Sequence, residues 1–452
     1  MQDEVAGWRS PHPLVLLVGC LLVAALLTRL LPAGQFDRRE DPATHRDVVV
    51  AGSYHTVAPS PVGPFAAVVA IPRGMADAAS VIFFVFLVGG GFAVVERTGA
   101  STRLVERLVH GLGDRRVLVI PLASLAFGLG GVLIQMSEEL IAFVPVLLLL
   151  TSRLGYPPLV ACAVSIGASA IGAAFSPVNP FQVLIAQKVA GVPAGSGLGF
   201  RLVFLLLAMG LWIWGTMRYA ARHRTAAAGR PAAAPAGSTI AGRDLAVLAV
   251  VLLAFGLFLV GAQRWGWDFD QFSAVFFLMG LAAGLIGGLG IGGTADAFVE
   301  GFRSLAFAAM LIGFARAIFV VLDDGRVIDS IVQGMFTPLA RLPLALSALG
   351  MLGLQAVLHV PVSSTSGQAV LTMPVLAPLS DLLGLSRQVT VLAYQYGAGL
   401  TELLTPTNGA LMAMLAAAGV RYETWLRFAG WLLALLFGLG AVALLAGLAI
   451  GV

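Results

Sequence analysis

Apolar runs alternate with short polar stretches along this chain, near 14–33, 75–97, 115–134, 139–154, 157–193, 198–220, 245–262, 272–292, 297–322, 343–360, 368–383, 386–419 and 424–451. An α-helix advances about 1.5 Å per residue, so roughly 20 apolar residues cross the ~30 Å hydrocarbon core of a bilayer. The pattern predicts an all-α polytopic membrane protein. Two runs are too long for single spans and are interrupted in the middle, 157–193 by Ser176-Pro177-Val178-Asn179-Pro180 and 386–419 by Thr405-Pro406-Thr407-Asn408-Gly409. Proline lacks a backbone donor and clashes with the preceding turn, so each helix must break there. At membrane depth such breaks persist only where they face a cavity or other protein.

The two interruptions are one motif at an offset of 229 residues, which without a gap also pairs Ser137 with Ser366, Pro145 with Pro374, Gly155 with Gly384 and Asn179 with Asn408. Matched Pro, Gly, Ser and Asn at one offset indicate a duplicated unit, about 75–220 and 297–452. Each unit reads as an arm, a hairpin (115–154 and 343–383) and a broken helix (157–193 and 386–419). Residues 1–74 are then a retained first helix and an exterior loop, 221–244 a cytoplasmic linker, and 245–296 connecting helices.

Arginine placement orients the spans. The stretch 218–244 holds five arginines against one acid and is expected inside. The arm end 96–116 carries five arginines against three acids, whereas its counterpart 323–341 carries two against three. The second unit is therefore expected to be inverted. If the hairpins are re-entrant, leaving on the side they enter, the intervening crossings are odd in number and require the same inversion. This gives nine full spans and two hairpins, with the N-terminus inside and the C-terminus outside.

Composition agrees with a membrane chain: of 452 residues 59% are hydrophobic and 11% charged, with mean hydropathy +0.94. Soluble chains carry roughly a quarter charged residues. The net charge of +4 is explained by span orientation, so nucleic acid is not an expected partner. Cys20 and Cys162 lie inside apolar runs and suggest neither a disulfide framework nor a thiolate metal site. The only lysine, Lys188, is followed by Val189, so no Walker A motif supports ATP hydrolysis. Gly288, Gly290 and Gly293 match a dinucleotide fingerprint but lie in an apolar run, where close helix packing is the expected reason. No nucleophile or zinc constellation suggests an enzyme, and no continuous polar face suggests a channel. A secondary transporter driven by an ion gradient remains.

Its chemistry is expected at the hairpin tips and the breaks. The first tip is Gln135-Met136-Ser137-Glu138-Glu139 and the second runs from Pro361 to Gln368 through Ser363, Ser364, Thr365 and Ser366. Hydroxyls and a positive helix N-terminus suit a carboxylate. Charges at membrane depth are functional candidates by default. They are Glu138, Glu139, Glu402 and Arg316. Arg316 can meet a solute carboxylate or pair with Glu402, and the glutamates can meet a cation, a solute ammonium or a proton. Lys188 is expected to snorkel, and His359 to be a neutral imidazole near the second tip. With Asn179 and Asn408 these form the candidate solute site. The oxygens of Ser176, Asn179, Thr405, Thr407 and Asn408 are hard ligands suited to sodium. An amino acid satisfies both the arginine and the glutamates. A dicarboxylate would leave the glutamates to protons or sodium. No organic cofactor is expected.

Segments 361–378 (PVSSTSGQAVLTMPVLAP), 399–409 (GLTELLTPTNG), 313–325 (GFARAIFVVLDDG) and 137–145 (SEELIAFVP) resemble the YfcC-type carriers. These are described as basic amino-acid antiporters and grouped with the anaerobic dicarboxylate carriers of the ion transporter superfamily. The resemblance spans nearly the whole chain outside the linker and implies a secondary carrier of the bacterial inner membrane. More distantly the layout is similar to the divalent-anion/sodium symporters, which implies homodimers with an elevator mechanism. Those carriers place sodium between Ser-Asn-Thr tips and the breaks, whereas here the tips read Met136-Ser137-Glu138 and Ser364-Thr365-Ser366.

Overall fold

The computed structural model describes residues 12–41, 46–50, 52–104, 107, 117–224, 241–265, 267 and 269–452, and these are predominantly helical. Much of 105–116 and most of the linker, 225–240, fall outside the described residues, and with them part of the charge argument on orientation. The chain opens with α1 (Pro13–Leu30), four short strands, α2 (Pro64–Asp77) and α3 (Ala79–Arg97). Then come α4 (Val119–Ile134), a tip, α5 (Val144–Arg153), and a helix running from α6 (Pro158–Cys162) through a π-helical turn (Ala163–Gly167) into α7 (Ala168–Ala174). After a break, a second π-helical turn (Pro180–Leu184) leads into α8 (Ile185–Val189), followed by α9 (Leu198–Arg222). The later part runs α10 (Gly242–Val260), α11 (Phe269–Ile286), α12 (Gly290–Asp324), α13 (Ile328–Phe336), α14 (Leu344–His359), α15 (Thr365–Leu383), α16 (Arg387–Thr401), α17 (Gly409–Ala417) and α18 (Tyr422–Ile450). Among the described residues six helices, α1, α3, α9, α11, α12 and α18, are long and apolar enough to cross a membrane. The order helix, tip, helix, broken helix, long helix occurs twice, once from α4 to α9 and again from α14 to α18.

Three local expectations change. The exterior loop expected after the first helix contains strands: β1 (Gly34–Gln35) pairs antiparallel with β4 (His55–Thr56), and β2 (Arg38–Asp41) with β3 (Arg46–Val49). The loop is pinned to α13, where Asp329 accepts from the Phe36 amide (2.9 Å) and from Arg38 Nη2 (2.8 Å). Second, the run expected from residue 75 forms α3 from Ala79, and a separate α2 precedes it from Pro64, whose fixed φ suits a first helical position. Arg73 is accommodated there by Asp324 at the end of α12, its Nη2 donating at 3.1 Å. Third, Gly288 (φ +81°) and Gly290 (φ +67°) form the turn between α11 and α12, and nothing lies within 4 Å of a Cβ built at Gly290. Left-handed backbone, not helix packing, calls for glycine there.

The 35-residue α12 is the organising element. At about 1.5 Å per residue it is roughly 52 Å long. It packs against α1, α2, α3, α11 and α17 and so touches both parts of the chain.

Candidate functional site

Each tip is tied to the break of its own half. In the first, Ser176 Oγ donates to Val132 O (2.9 Å), Asn179 Nδ2 to Gly131 O (2.8 Å) and Ser169 Oγ to Met136 O (2.5 Å). In the second, Thr407 Oγ1 donates to Val360 O (2.6 Å) and the Tyr394 hydroxyl to Thr365 O (2.6 Å). The tips also meet each other. Gln135, whose backbone turns left-handed (φ 53°) to end α4, donates from Nε2 to Thr365 Oγ1 at 2.7 Å.

Backbone groups freed at the breaks are met by side chains. Asn179 Oδ1 accepts from the amides of Phe181 and Gln182, both at 2.9 Å, and Asn408 Oδ1 accepts from Leu411 N at 3.1 Å. Each asparagine thus caps the segment that follows its break. Among the carbonyls, Ser176 O takes Gln395 Nε2 (2.8 Å), Glu402 O takes Asn408 Nδ2 (3.1 Å), Leu403 O takes Trp425 Nε1 (2.9 Å) and Leu404 O takes the Tyr422 hydroxyl.

Between the tips and the two breaks lies a cavity of about 770 Å³, with Val178 and Pro180 of the first break and Thr407 and Asn408 of the second in its lining. Its lining includes ten of the expected residues: Ser137, Glu138, Glu139, Ser364, Thr365, Ser366, Glu402, Thr407, Asn408 and Arg316. Ser176, Asn179 and Thr405 are buried outside that lining. Their burial has a local reason: Ser176 and Asn179 hold the first tip, and Thr405 Oγ1 bonds Thr407 Oγ1 at 2.7 Å. Of the sodium ligands read from the sequence, Thr407 and Asn408 line this cavity.

Charge in the cavity is unbalanced. Its lining carries Asp77, Glu138, Glu139 and Glu402 against Arg316. Arg316 is paired with Asp77 and not Glu402, and its guanidinium lies 4.7 Å from the Phe319 ring centroid. Asp77 and Gln135 are the site residues that the sequence reading passed over. Asp77 interrupts the apolar run 75–97 and Gln135 opens the first tip, and each carries a polar signal there.

One more arrangement bears on ions. Gln368 Nε2 donates to Gln355 O (2.9 Å), which leaves Gln368 Oε1 to accept from His359 Nδ1 at 2.9 Å. This network assigns the proton of the neutral imidazole to Nδ1. Nε2, buried and without a hydrogen-bond partner, then presents a lone pair 3.8 Å from Glu402 Oε1. His359 is thus satisfied on one side only, and two acceptors face each other where a proton or cation would join them.

Comparison with known proteins agrees with the resemblance drawn from the motifs. Residues 11–449 match the family described as DcuC, C4-dicarboxylate anaerobic carrier. The chain is 33% identical over 487 residues to the "Putative basic amino acid antiporter YfcC" of Escherichia coli (strain K12), covering 97% of this chain and 96% of that one. It is 28% identical over 419 residues to an uncharacterized protein of Haemophilus influenzae (strain ATCC 51907 / DSM 11121 / KW20 / Rd), covering 88% and 81%. Among solved structures it aligns with the Alcanivorax borkumensis YdaH transporter at a TM-score of 0.44 and 19% identity, over 96% of this chain and 98% of that one. The chain belongs to the C4-dicarboxylate anaerobic carrier family, a family of multi-pass membrane transporters.

Proposed function

We propose that this protein is a secondary active transporter for an amino acid, with a proton or sodium ion coupled at Glu402. The observation that carries this reading is the excess of carboxylates around a cavity whose one arginine is already paired. Carboxylates at membrane depth are costly, and a solute ammonium or guanidinium would offset them. The N-terminus of α15, with Ser364, Thr365 and Ser366 in the lining, suits the solute's carboxylate. The name carried by the Escherichia coli relative points the same way. The family's description favours a dicarboxylate, and that second reading would leave Glu138 and Glu402 to bind protons or sodium.

In this reading the two halves are inverted repeats, the hairpins are re-entrant, and a homodimer in the bacterial inner membrane works as an elevator with its N-terminus inside. Helices α4 and α14 support re-entrance: each has 16 residues, about 24 Å, which falls short of a ~30 Å core. The test is calorimetric titration of the purified protein with arginine, lysine and succinate, followed by uptake in proteoliposomes for Glu402→Gln. The expected result is binding of a cationic amino acid and loss of coupled uptake in a folded variant. Binding of succinate alone would replace the solute, and wild-type uptake by the variant would remove Glu402 from coupling.

A further inference from the structure

Arg201, in the first turn of α9, is 1% exposed and forms no ion pair with a carboxylate among the described residues. A buried guanidinium facing only neutral groups is costly in a membrane, so what faces it is informative. Its Nη1 donates to Gln395 Oε1, and its Nη2 lies 3.5 Å from Gln388 Oε1. Gln395 passes that polarity onward, because its Nε2 donates to Ser176 O at 2.8 Å and approaches Ala173 O at 3.3 Å.

Those two carbonyls close the half-helix that runs from Pro158 to the first break. Aligned peptide dipoles concentrate negative potential at such an end, and a broken helix in a carrier offers it to a cation. Here a side-chain charge, relayed through one amide, occupies that role. The second break differs. Its carbonyls at Glu402, Leu403 and Leu404 are held by the neutral donors Asn408, Trp425 and Tyr422, and the charge beside it is the Glu402 carboxylate. An arginine thus stands behind the first break, through Gln395, and a carboxyl group beside the second.

We infer that Arg201, through Gln395, is a resident cation of the first helix break, standing permanently where a coupling ion would bind and leaving one exchangeable cation site, at Glu402. The second clause rests on the coupling role proposed above; the first does not. Arg201 and Gln395 are positioning residues, and their signature is how stability responds to cations.

The test follows Tm of the purified full-length protein while sodium chloride replaces choline chloride at constant ionic strength. It is run in a Glu402→Gln background to silence the second site. The background variant is expected to show no sodium-dependent shift. Adding Arg201→Met should lower Tm and create a saturable rise in Tm with sodium or guanidinium ion, and adding Arg201→Lys should restore insensitivity. If Arg201→Met does not fold, Gln395→Met cuts the relay with the guanidinium intact and is expected to gain the same cation response. A saturable sodium shift already present in Glu402→Gln would overturn the proposal. So would the absence of a gained response in a folded Arg201→Met or Gln395→Met protein. Neither readout uses transport, so a wrong solute would leave this result standing.

Discussion

Asn179 and Asn408 occupy equivalent points of two helix breaks, yet they face different surroundings. Asn179 spends its amide on Gly131 and on the two backbone amides that follow its break, outside the cavity lining. Asn408 makes one cap and one backbone bond while lining the cavity. Removing a cap together with a buried hydrogen bond costs about 1–3 kcal/mol. Asn179→Ala is therefore expected to lower thermal stability and leave solute affinity unchanged, whereas Asn408→Ala weakens binding about ten-fold, a loss of ~1.4 kcal/mol. Titration of both detergent-purified variants decides this, and a larger affinity loss at Asn179 would reverse the assignment. The pairing of these residues is legible in the sequence, because matched polar residues at one offset stand out against apolar surroundings. Which of the two reaches the cavity is not legible, since it depends on how closely each tip closes over its break. Arg316 shows the same limit: its charge marks it at once, but its partner Asp77 is 239 positions away.

At the scale of elements, the breaks and tips are where prolines and polar clusters interrupt apolar runs, and those interruptions survive folding. Boundaries set by compensated charge do not. Arg73 looks like the end of a loop, but Asp324 accepts it inside α2, 251 residues away in sequence. The contact between tips is equally invisible, because Gln135 and Thr365 lie 230 positions apart and their hydrogen bond follows from the whole arrangement. That bond has a testable consequence. Ser366→Cys is expected to react with a membrane-impermeant thiol reagent to a degree that falls when solute is bound. Adding Gln135→Leu, which removes the cross-tip bond, should raise labelling in the absence of solute. Full labelling of Ser366→Cys under every condition would make the second tip an ordinary aqueous turn.

For the whole molecule, α12 joins the earlier and later parts of the chain. Gly74 of α2 lies so close to it that a Cβ there would sit 2.5 Å from the Ala317 amide nitrogen, which locks α2 against α12. Five residues earlier on α12, Ile312 meets the first residue of α17, where a Cβ at Gly409 would be 2.9 Å from the Ile312 Cα. The helical fold class can be read from hydrophobic spacing alone. This bridging role cannot, because α12 reads in sequence as one more apolar run. If the second break shifts against α12 during each cycle, Gly409 is a bearing surface: bare backbone gliding past a neighbouring helix, with nothing protruding to catch. Gly409→Ala would then act as friction, with solute affinity retained and exchange across liposomes slowed about ten-fold, as ~1.4 kcal/mol on the barrier requires. Equal losses of affinity and rate would instead mean that this contact never moves.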